Sequence, residues 1–227
     1  MENSWNRSLE FYLGIDGVNE NRKGQALQVF KSVDLSSLQR IEVIETGASQ
    51  NLSDGCFGLL FAHLCSLENS KMFSVDLDPE ITRLSQEMYS RYLPEYSLEH
   101  ATTDSVQFLK NYSGNPTIVH LDSWDLDIYN PESSMLHGFL EFLAIKDKMQ
   151  SGSYVIVDDN FMRNTVIYWD IFIDGVKTET EEFNVHQEIL GKGTMIYHYC
   201  KRIDSDWELV GDHYHAGPNL KLILRKK

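Results

Sequence analysis

The chain has 227 residues, of which 42% are hydrophobic, enough for one sizeable core but short for two domains. Its formal net charge of −14 repels phosphate backbones, and the basic cluster is confined to Arg225-Lys226-Lys227, which excludes nucleic acid as an expected partner. No stretch approaches the ~20 apolar residues of a membrane helix, and the first residues lack a signal-peptide pattern. Cys56, Cys65 and Cys200 form no CxxC spacing, which favours buried free thiols in a reducing compartment. We therefore expect an acidic cytoplasmic protein.

The sequence predicts one domain. Residues 1–38 form its polar, helical N-terminal cap, and residues 39–227 form its larger α/β part. Beyond the cap, short apolar runs alternate with helical patterns, one of which starts at Asp78-Pro79-Glu80 with a capping aspartate and a proline. This alternation is typical of a parallel sheet with helices on both faces. The apolar runs are residues 41–44, 72–75, 117–121 and 154–157.

The C-terminal end differs from this alternation. Residues 207–210 and 220–224 read as strands, and the turn-like segment 215–219 between them is too short for a crossover helix. The two strands are therefore predicted to be antiparallel. The expected fold is α/β, with a doubly wound, mostly parallel seven-stranded sheet and a C-terminal antiparallel hairpin, which is the outline of class I methyltransferases. We expect a helix over about 134–149, with Met135, Phe139, Phe142 and Leu143 facing the sheet, and a specificity loop over 160–174.

Two strand ends suggest a nucleotide site. The first strand ends in Glu45-Thr46-Gly47-Ala48-Ser49, where Gly47 allows close approach of a ligand, and a helix is expected to open near Asp54-Gly55. The second strand ends in Asp76, an acid placed to accept ribose hydroxyls, whereas Asp78 is better explained as a helix cap. Ligands of doubly wound sheets bind outside such strand ends, so this pair favours adenosine binding.

Thr103-Asp104-Ser105 would follow a further strand, the third of the sheet, between the apolar runs 72–75 and 117–121. This segment would lie at the adenine end of such a site. Asp104 or Ser105 could contact the base. Either residue could equally cap the helix that follows, because Asp and Ser are ordinary N-cap residues.

Acids also follow the fourth and fifth strands. Asp122 comes after one strand, and Asp158-Asp159-Asn160 come after the other, so all should meet at one edge of the sheet. Crowded carboxylates repel one another, and an oxygen-preferring cation such as Mg²⁺ would relieve that repulsion. Asp122, Asp159 and Asn160 are the natural ligand set, with capping or solvent exposure as the alternative. Strand alternation predicts that Asp158 faces the other way and matters less.

Leu121-Asp122-Ser123-Trp124, followed by Asp159-Asn160, resembles the metal-binding strand ends of catechol O-methyltransferase. It is also similar to the metal-dependent O-methyltransferases that act on sugars of macrolides and bacterial surface polysaccharides. The resemblance covers roughly residues 40 to 160, is specific at the two acidic segments and is generic elsewhere. It implies an enzyme that transfers a methyl group from S-adenosylmethionine (SAM) to a hydroxyl of a small molecule, such as a sugar or a phenol.

The resemblance also implies roles for individual residues. Glu45, Gly47 and neighbouring Ser49 would hold the methionine end of SAM, Asp76 the ribose and Ser105, beside Asp104, the adenine, while Mg²⁺ or another divalent cation would bind Asp122, Asp159 and Asn160.

The sequence departs from catechol O-methyltransferase in a longer loop after Gly47 and in Asp125, which replaces the lysine base of that enzyme. Asp125 is our candidate base, beside a catalytic Asp122. His120 and His137 are alternatives for the base, although their positions favour packing or surface roles.

Two other functions remain open at the level of sequence. A metal-dependent hydroxylase, or another enzyme on the same scaffold, would not bind SAM, because fold does not fix function. A non-catalytic acidic interaction module would tolerate loss of the strand-end carboxylates. The sequence leaves open the identity of the acceptor and whether the chain forms a homo-oligomer.

Overall fold

A computed structural model describes residues 1–36, 38–52, 56–173, 176–211 and 220–227. Its helices are α1 Glu2–Leu13, α2 Glu20–Ser32, α3 Gly58–Leu67, α4 Pro79–Tyr92, α5 Ser105–Asn111, α6 Glu132–Ile145 and α7 Thr194–Arg202. Its strands are β1 Glu42–Thr46, β2 Lys71–Asp76, β3 Glu99–Thr102, β4 Ile118–Leu121, β5 Tyr154–Met162, β6 Val166–Ile173, β7 Val176–Asn184, β8 Ile189–Gly191, β9 Trp207–Leu209 and β10 Leu220–Lys226.

The main sheet has the strand order β3-β2-β1-β4-β5-β10-β9, and β8 pairs with β5 outside this path. The pairs among β1 to β5 along this path are parallel, whereas β10 is antiparallel to both β5 and β9. The predicted mostly parallel sheet with antiparallel C-terminal strands is therefore confirmed, with β8 as an eighth strand. The order reverses between β1 and β4, and ligands of such sheets bind at this switch point.

Apolar side chains cover both faces of the sheet, as its nearly continuous apolar strands require. One cluster joins residues of α1, α2 and α3 to one face, and a second joins α5, α6 and α7 to the other. Trp5 of α1 stacks on Phe61 of α3 with ring centroids 6.2 Å apart. The N-terminal helices thus pack into the same core as the sheet.

Local start signals are confirmed where helices follow strands. Asp78 accepts a hydrogen bond from the Glu80 N–H at 2.7 Å, and Pro79 stands at the first helical position of α4. Cys56, Cys65 and Cys200 are buried and form no disulfide, as expected.

Other expectations are wrong. Within the expected loop 160–174, the described residues 160–173 are mostly strand, because β5 continues to Met162 and β6 pairs antiparallel with β7 in a separate two-stranded sheet. Helix α6 ends at Ile145, and Leu143 is 37% exposed rather than facing the sheet. The helix start expected at 54–55 and the turn at 215–219 lie outside the described residues.

No helix within the described ranges has the length and apolar character needed to cross a bilayer.

Candidate functional site

A cavity of about 470 Å³ lies at the carboxyl edge of the sheet, beside the ends of β1, β2 and β4. Helix α2 contributes Arg22 to its wall, and the β4–α6 connection contributes Trp124. Two predicted site residues, Glu45 and Asn160, are absent from its lining. The other eight all line it: Gly47, Ser49, Asp76, Asp104, Ser105, Asp122, Asp125 and Asp159.

Gly47 lies where three strand ends come closest. Its φ of +79° lies in the left-handed region, and a Cβ there would lie 2.6 Å from the carbonyl carbon of Asp122. The Gly47 N–H donates to the Val75 carbonyl at 2.9 Å, and the Asp122 N–H donates to the Thr46 carbonyl at 2.9 Å. Only glycine can adopt this positive φ and fit beside Asp122, because it has no Cβ. The turn after β1 therefore exposes its backbone to the cavity.

Asp76 holds this turn in place. Its Oδ2 accepts the Ala48 N–H and its Oδ1 accepts the Asp78 N–H, each at 2.9 Å. A carboxylate oxygen can accept more than one hydrogen bond. The carboxylate is therefore fixed at the cavity wall with capacity left for a ligand's hydroxyl groups.

The wall near α5 carries a second set of polar groups. Asp104 caps α5 by accepting the Gln107 N–H at 2.8 Å, so the capping role that the sequence left open is present. The Ser105 hydroxyl lies 3.1 Å from His137 Nε2. Nearby Glu141 raises the pKa of His137, although partial burial of the ring opposes this. The Trp124 ring lies 5.3 Å from the His137 ring and is 57% exposed.

Glu45 does not reach the cavity. Its carboxylate is fully buried, and Oε2 accepts hydrogen bonds from the Ser74 and Tyr89 hydroxyls, both at 3.0 Å. The carboxylate points into the core and ties β1 to α4, so its position does not support the expected contact with a methionine group, which stays a prediction. Ser49, which does line the cavity, reaches Glu45 Oε1 at 3.4 Å.

The β4 and β5 ends converge on a buried lysine. Lys192 Nζ donates to Asp122 Oδ1 at 2.8 Å and forms an ion pair with Asp159 Oδ2 at 3.0 Å. Burial alone would lower the pKa of Lys192, but the attraction of Asp122 and Asp159 outweighs it and raises that pKa. Burial together with the charge of Asp158 raises the pKa of Asp122 above its usual value.

Asp158 lies in a second buried ion cluster. Lys221 contacts its carboxylate, and Arg22 Nη1 lies 3.4 Å from Oδ2. Burial alone would raise the pKa of Asp158, but Lys221 and Arg22 hold it well below its usual range. The expectation that Asp158 matters less than Asp159 stays a prediction. Its side chain is 3% exposed and contacts Lys221 and Arg22.

Asn160 has a structural role that the sequence does not show. Its Nδ2 donates to the carbonyls of Val157 and Asp158 at 2.9 Å, and its Oδ1 accepts the Gly193 N–H at 2.7 Å. The side chain is fully buried. Its amide oxygen is therefore engaged in fixing the backbone beside Lys192.

The predicted metal ligands do not fit a metal ion in this arrangement. Asn160 is turned inward, and the ammonium of Lys192 bonds to both Asp122 and Asp159. Donor atoms of His120, Asp122 and Asp158 do lie within 4.8 Å of one another, so His120 points towards these acids. Lys221, however, contacts Asp158 and lies 3.4 Å from His120 Nε2. Each acidic group thus faces a side-chain cation.

Sequence reasoning missed Arg22, Lys192 and Lys221. Two signals could have found the lysines. Lys221 interrupts the apolar run Leu220-Lys221-Leu222-Ile223-Leu224, and Lys192 stands between two glycines. A lysine within an apolar strand needs a buried partner, and the crowded acids of β4 and β5 are that partner.

No protein-family model matches this sequence, and no curated protein is significantly similar to it. Solved structures do match its fold. A SAM-dependent methyltransferase from Clostridium acetobutylicum ATCC 824 superposes with a TM-score of 0.54 at 14% identity, over 94% of this chain and 93% of that one. TrmN from Thermus thermophilus gives a TM-score of 0.53 at 10% identity, over 97% of this chain and 53% of that one. The chain therefore has the Rossmann-like fold of class I methyltransferases.

Proposed function

We propose that this protein transfers a methyl group from SAM to a hydroxyl oxygen of a small molecule. The observation that carries the proposal is a single cavity with two kinds of wall. One wall has Gly47 and Asp76 at neighbouring strand ends, and the other has the carboxylates of Asp122 and Asp159. A nucleoside site thereby adjoins a group of oxygen acceptors, which is what transfer to a hydroxyl requires.

The residues of the first wall suit SAM. The cavity volume of about 470 Å³ falls within the range of small-ligand sites, ~300–1,000 Å³. Asp76 would accept hydrogen bonds from the ribose hydroxyls. The methionine end of SAM would lie beside the exposed backbone of Gly47. Ser105 and the Trp124 ring would border the adenine. Bound there, SAM supplies an activated methyl group.

The second wall defines the acceptor. Among the described residues that line the cavity, the carboxylates are Asp76, Asp104, Asp122, Asp125 and Asp159. The cationic groups there are Arg22 and, when protonated, His137. This charge disfavours phosphorylated acceptors and favours neutral, hydroxyl-bearing ones. Asp122 and Asp159 would accept hydrogen bonds from the acceptor and orient its oxygen, which supplies proximity. Asp125, which is exposed, is the candidate that takes the hydroxyl proton.

Binding is the first test. Calorimetric titration of the purified chain with SAM and with its demethylated product should show one site per chain. Incubation with SAM and fractionated small-molecule extracts should then add one methyl group to a hydroxyl compound, detected by mass spectrometry. A folded chain that binds neither ligand would contradict the proposal and favour a hydroxylase or another enzyme on this scaffold.

The second test addresses the non-catalytic alternative. The double variant Asp122→Asn with Asp159→Asn should keep SAM binding, because the ligand contacts of the first wall are unchanged, and should lose methyl transfer. Transfer that survives at the wild-type rate would show that these carboxylates are dispensable. The magnesium dependence implied by the resemblance to catechol O-methyltransferase remains a prediction from sequence and lies outside this proposal, because Lys192 bonds to both candidate aspartates.

A further inference from the structure

The Lys192 ammonium contacts two carboxylates at the edge of the cavity. It donates to Asp122 Oδ1 at 2.8 Å and to the Asp122 carbonyl at 3.2 Å. It also forms an ion pair with Asp159 Oδ2 at 3.0 Å. The Lys192 side chain is only 3% exposed, whereas those of Asp122 and Asp159 are 28% and 23% exposed. The lysine therefore lies beneath the two carboxylates, which keep a surface towards the cavity.

The backbone around Lys192 is built for this position. Gly191 has a φ of +139°, and a Cβ there would lie 2.8 Å from the Cα of Asn160. A Cβ at Gly193 would lie 2.5 Å from Leu222 Cδ2 and 2.7 Å from Asn160 Oδ1. The two glycines thus let the segment after β8 approach β5 closely. Lys192 N–H also donates to the Asp159 carbonyl at 3.2 Å, which fixes the origin of its side chain.

Charge at this edge is balanced by side chains. Asp122, Asp158 and Asp159 carry three negative charges, and among the described residues that form ion pairs with them, Lys192, Lys221 and Arg22 carry three positive ones. Divalent cations are held by clusters of oxygen ligands that carry excess negative charge. The mutual repulsion that would call for a metal ion is already relieved here.

We infer that Lys192 supplies the cation of this site. Its ammonium holds the carboxylates of Asp122 and Asp159 at a fixed spacing, so the site needs no divalent metal. This inference deepens the proposed function and rests on it for the role of the cavity. Lys192 is a positioning residue, because it reaches the acceptor side only through the two carboxylates. It fixes their spacing, so that each presents an oxygen to the acceptor's hydroxyl.

A metal-binding measurement tests this inference without an activity assay. The metal-stripped full chain is titrated with Mn²⁺, and free Mn²⁺ is read from its electron paramagnetic resonance signal. The wild type should bind no more Mn²⁺ than the Asp159→Asn variant. Lys192→Met should gain one site per chain, at least about tenfold tighter than wild type, because the ammonium that contacts both carboxylates is then gone. Asp159→Asn added to Lys192→Met should abolish that site.

Lys177→Met is the matched control, since it removes a lysine from the exposed pair with Asp170 and should leave Mn²⁺ binding unchanged. A tight stoichiometric site in the wild type that Asp159→Asn removes would overturn the inference. A folded Lys192→Met variant with no gain would overturn it too. If Lys192→Met does not fold, the comparison of wild type with Asp159→Asn decides alone. SAM titration of the same samples reports on the proposed function separately.

Discussion

The ammonium of Lys221 contacts the carboxylate of Asp158 inside the sheet, where neither side chain is more than 3% exposed. The same ammonium lies 4.7 Å from the centre of the Phe57 ring, which adds a cation–π contact. Lys221 belongs to β10 and Asp158 to β5, so the pair joins antiparallel neighbours in the sheet. Removing Lys221 would leave the buried Asp158 carboxylate with the longer Arg22 contact at 3.4 Å, which offsets its charge less well.

Lys221→Met should therefore lower the free energy of unfolding by about 3–5 kcal/mol, the usual cost of breaking a buried ion pair. Urea denaturation followed by circular dichroism measures this. The control is Lys71→Met, which removes an exposed pair with Glu99 at 3.7 Å and should cost no more than about 1 kcal/mol. Equal effects of the two substitutions would show that the buried pair contributes no more than a surface one.

Asp76→Ala should weaken SAM binding by about 1.5–3 kcal/mol, because it removes charge-assisted hydrogen bonds to the ligand. Asp76 also accepts the Ala48 and Asp78 N–H groups, so some loss of stability should accompany the loss of affinity. Asp78→Ala is the matched control: it removes the cap of α4, lowering stability, but should leave affinity unchanged. Calorimetry on both variants separates the two effects, and an unchanged affinity for the folded Asp76→Ala variant would refute the assigned contact.

Gly47→Ala should destabilise the protein by about 1–3 kcal/mol through backbone strain alone, with a further loss from the clash with Asp122. Gly24→Ala provides the control. Gly24 lies within α2, and a Cβ added there would have no neighbour within 4 Å, so alanine should stabilise by about 0.5–1 kcal/mol. Thermal melts of both variants should therefore shift in opposite directions, and a neutral Gly47→Ala would contradict the geometry at β1.

His137 predicts a pH dependence of stability. Glu141 raises its pKa above the ordinary value of 6.5, with Asp104 adding to this and both burial and Lys192 opposing it. A raised pKa in the folded state means that the protonated ring stabilises the fold below pH 6.5, and that this contribution is lost as pH rises through the raised value. Urea denaturation of the wild type at a series of pH values from 6.5 upwards should show the free energy of unfolding falling as the ring loses its proton. The fall should be smaller in Glu141→Gln, and an identical slope would exclude this pair as its source.

Nucleic acid should not bind at physiological salt, because the net charge is −14 and the cavity lining is mainly acidic. A gel-shift assay with RNA and DNA duplexes and single strands tests this. A basic DNA-binding domain run alongside is the positive control. Submicromolar binding by the chain would redirect the search for its acceptor towards nucleic acids.

Much of the fold follows from local sequence signals. Continuous apolar runs correctly located β1, β2, β4 and β5, because strands buried on both faces need them. The capping pattern at Asp78-Pro79-Glu80 located the start of α4. The same reasoning brought Gly47, Asp76, Asp122 and Asp159 to one cavity, because the carboxyl ends of parallel strands meet at one edge.

The partners of those residues could not be found in the same way. Lys192 is 70 positions from Asp122, and Lys221 is 101 positions from His120, so no local pattern links them. The prediction that side chains alternate between the two faces of β5 also failed beyond Val157. Asp159 has a φ of +51°, which interrupts the regular strand, and the pairing with β10 shifts register there.

The position of β10 has a consequence for how the chain reaches its native state. This strand comes last among the described elements, yet it lies inside the sheet between β5 and β9. During synthesis, β4 and β5 leave the ribosome before residues 220–226. Strand β5 can therefore pair with β4 before Lys221 is available to contact Asp158. Contacts of such long sequence separation form slowly. We expect the amides of β5 to gain protection in pulsed hydrogen exchange only as β10 inserts, making the final strand the step that closes the fold.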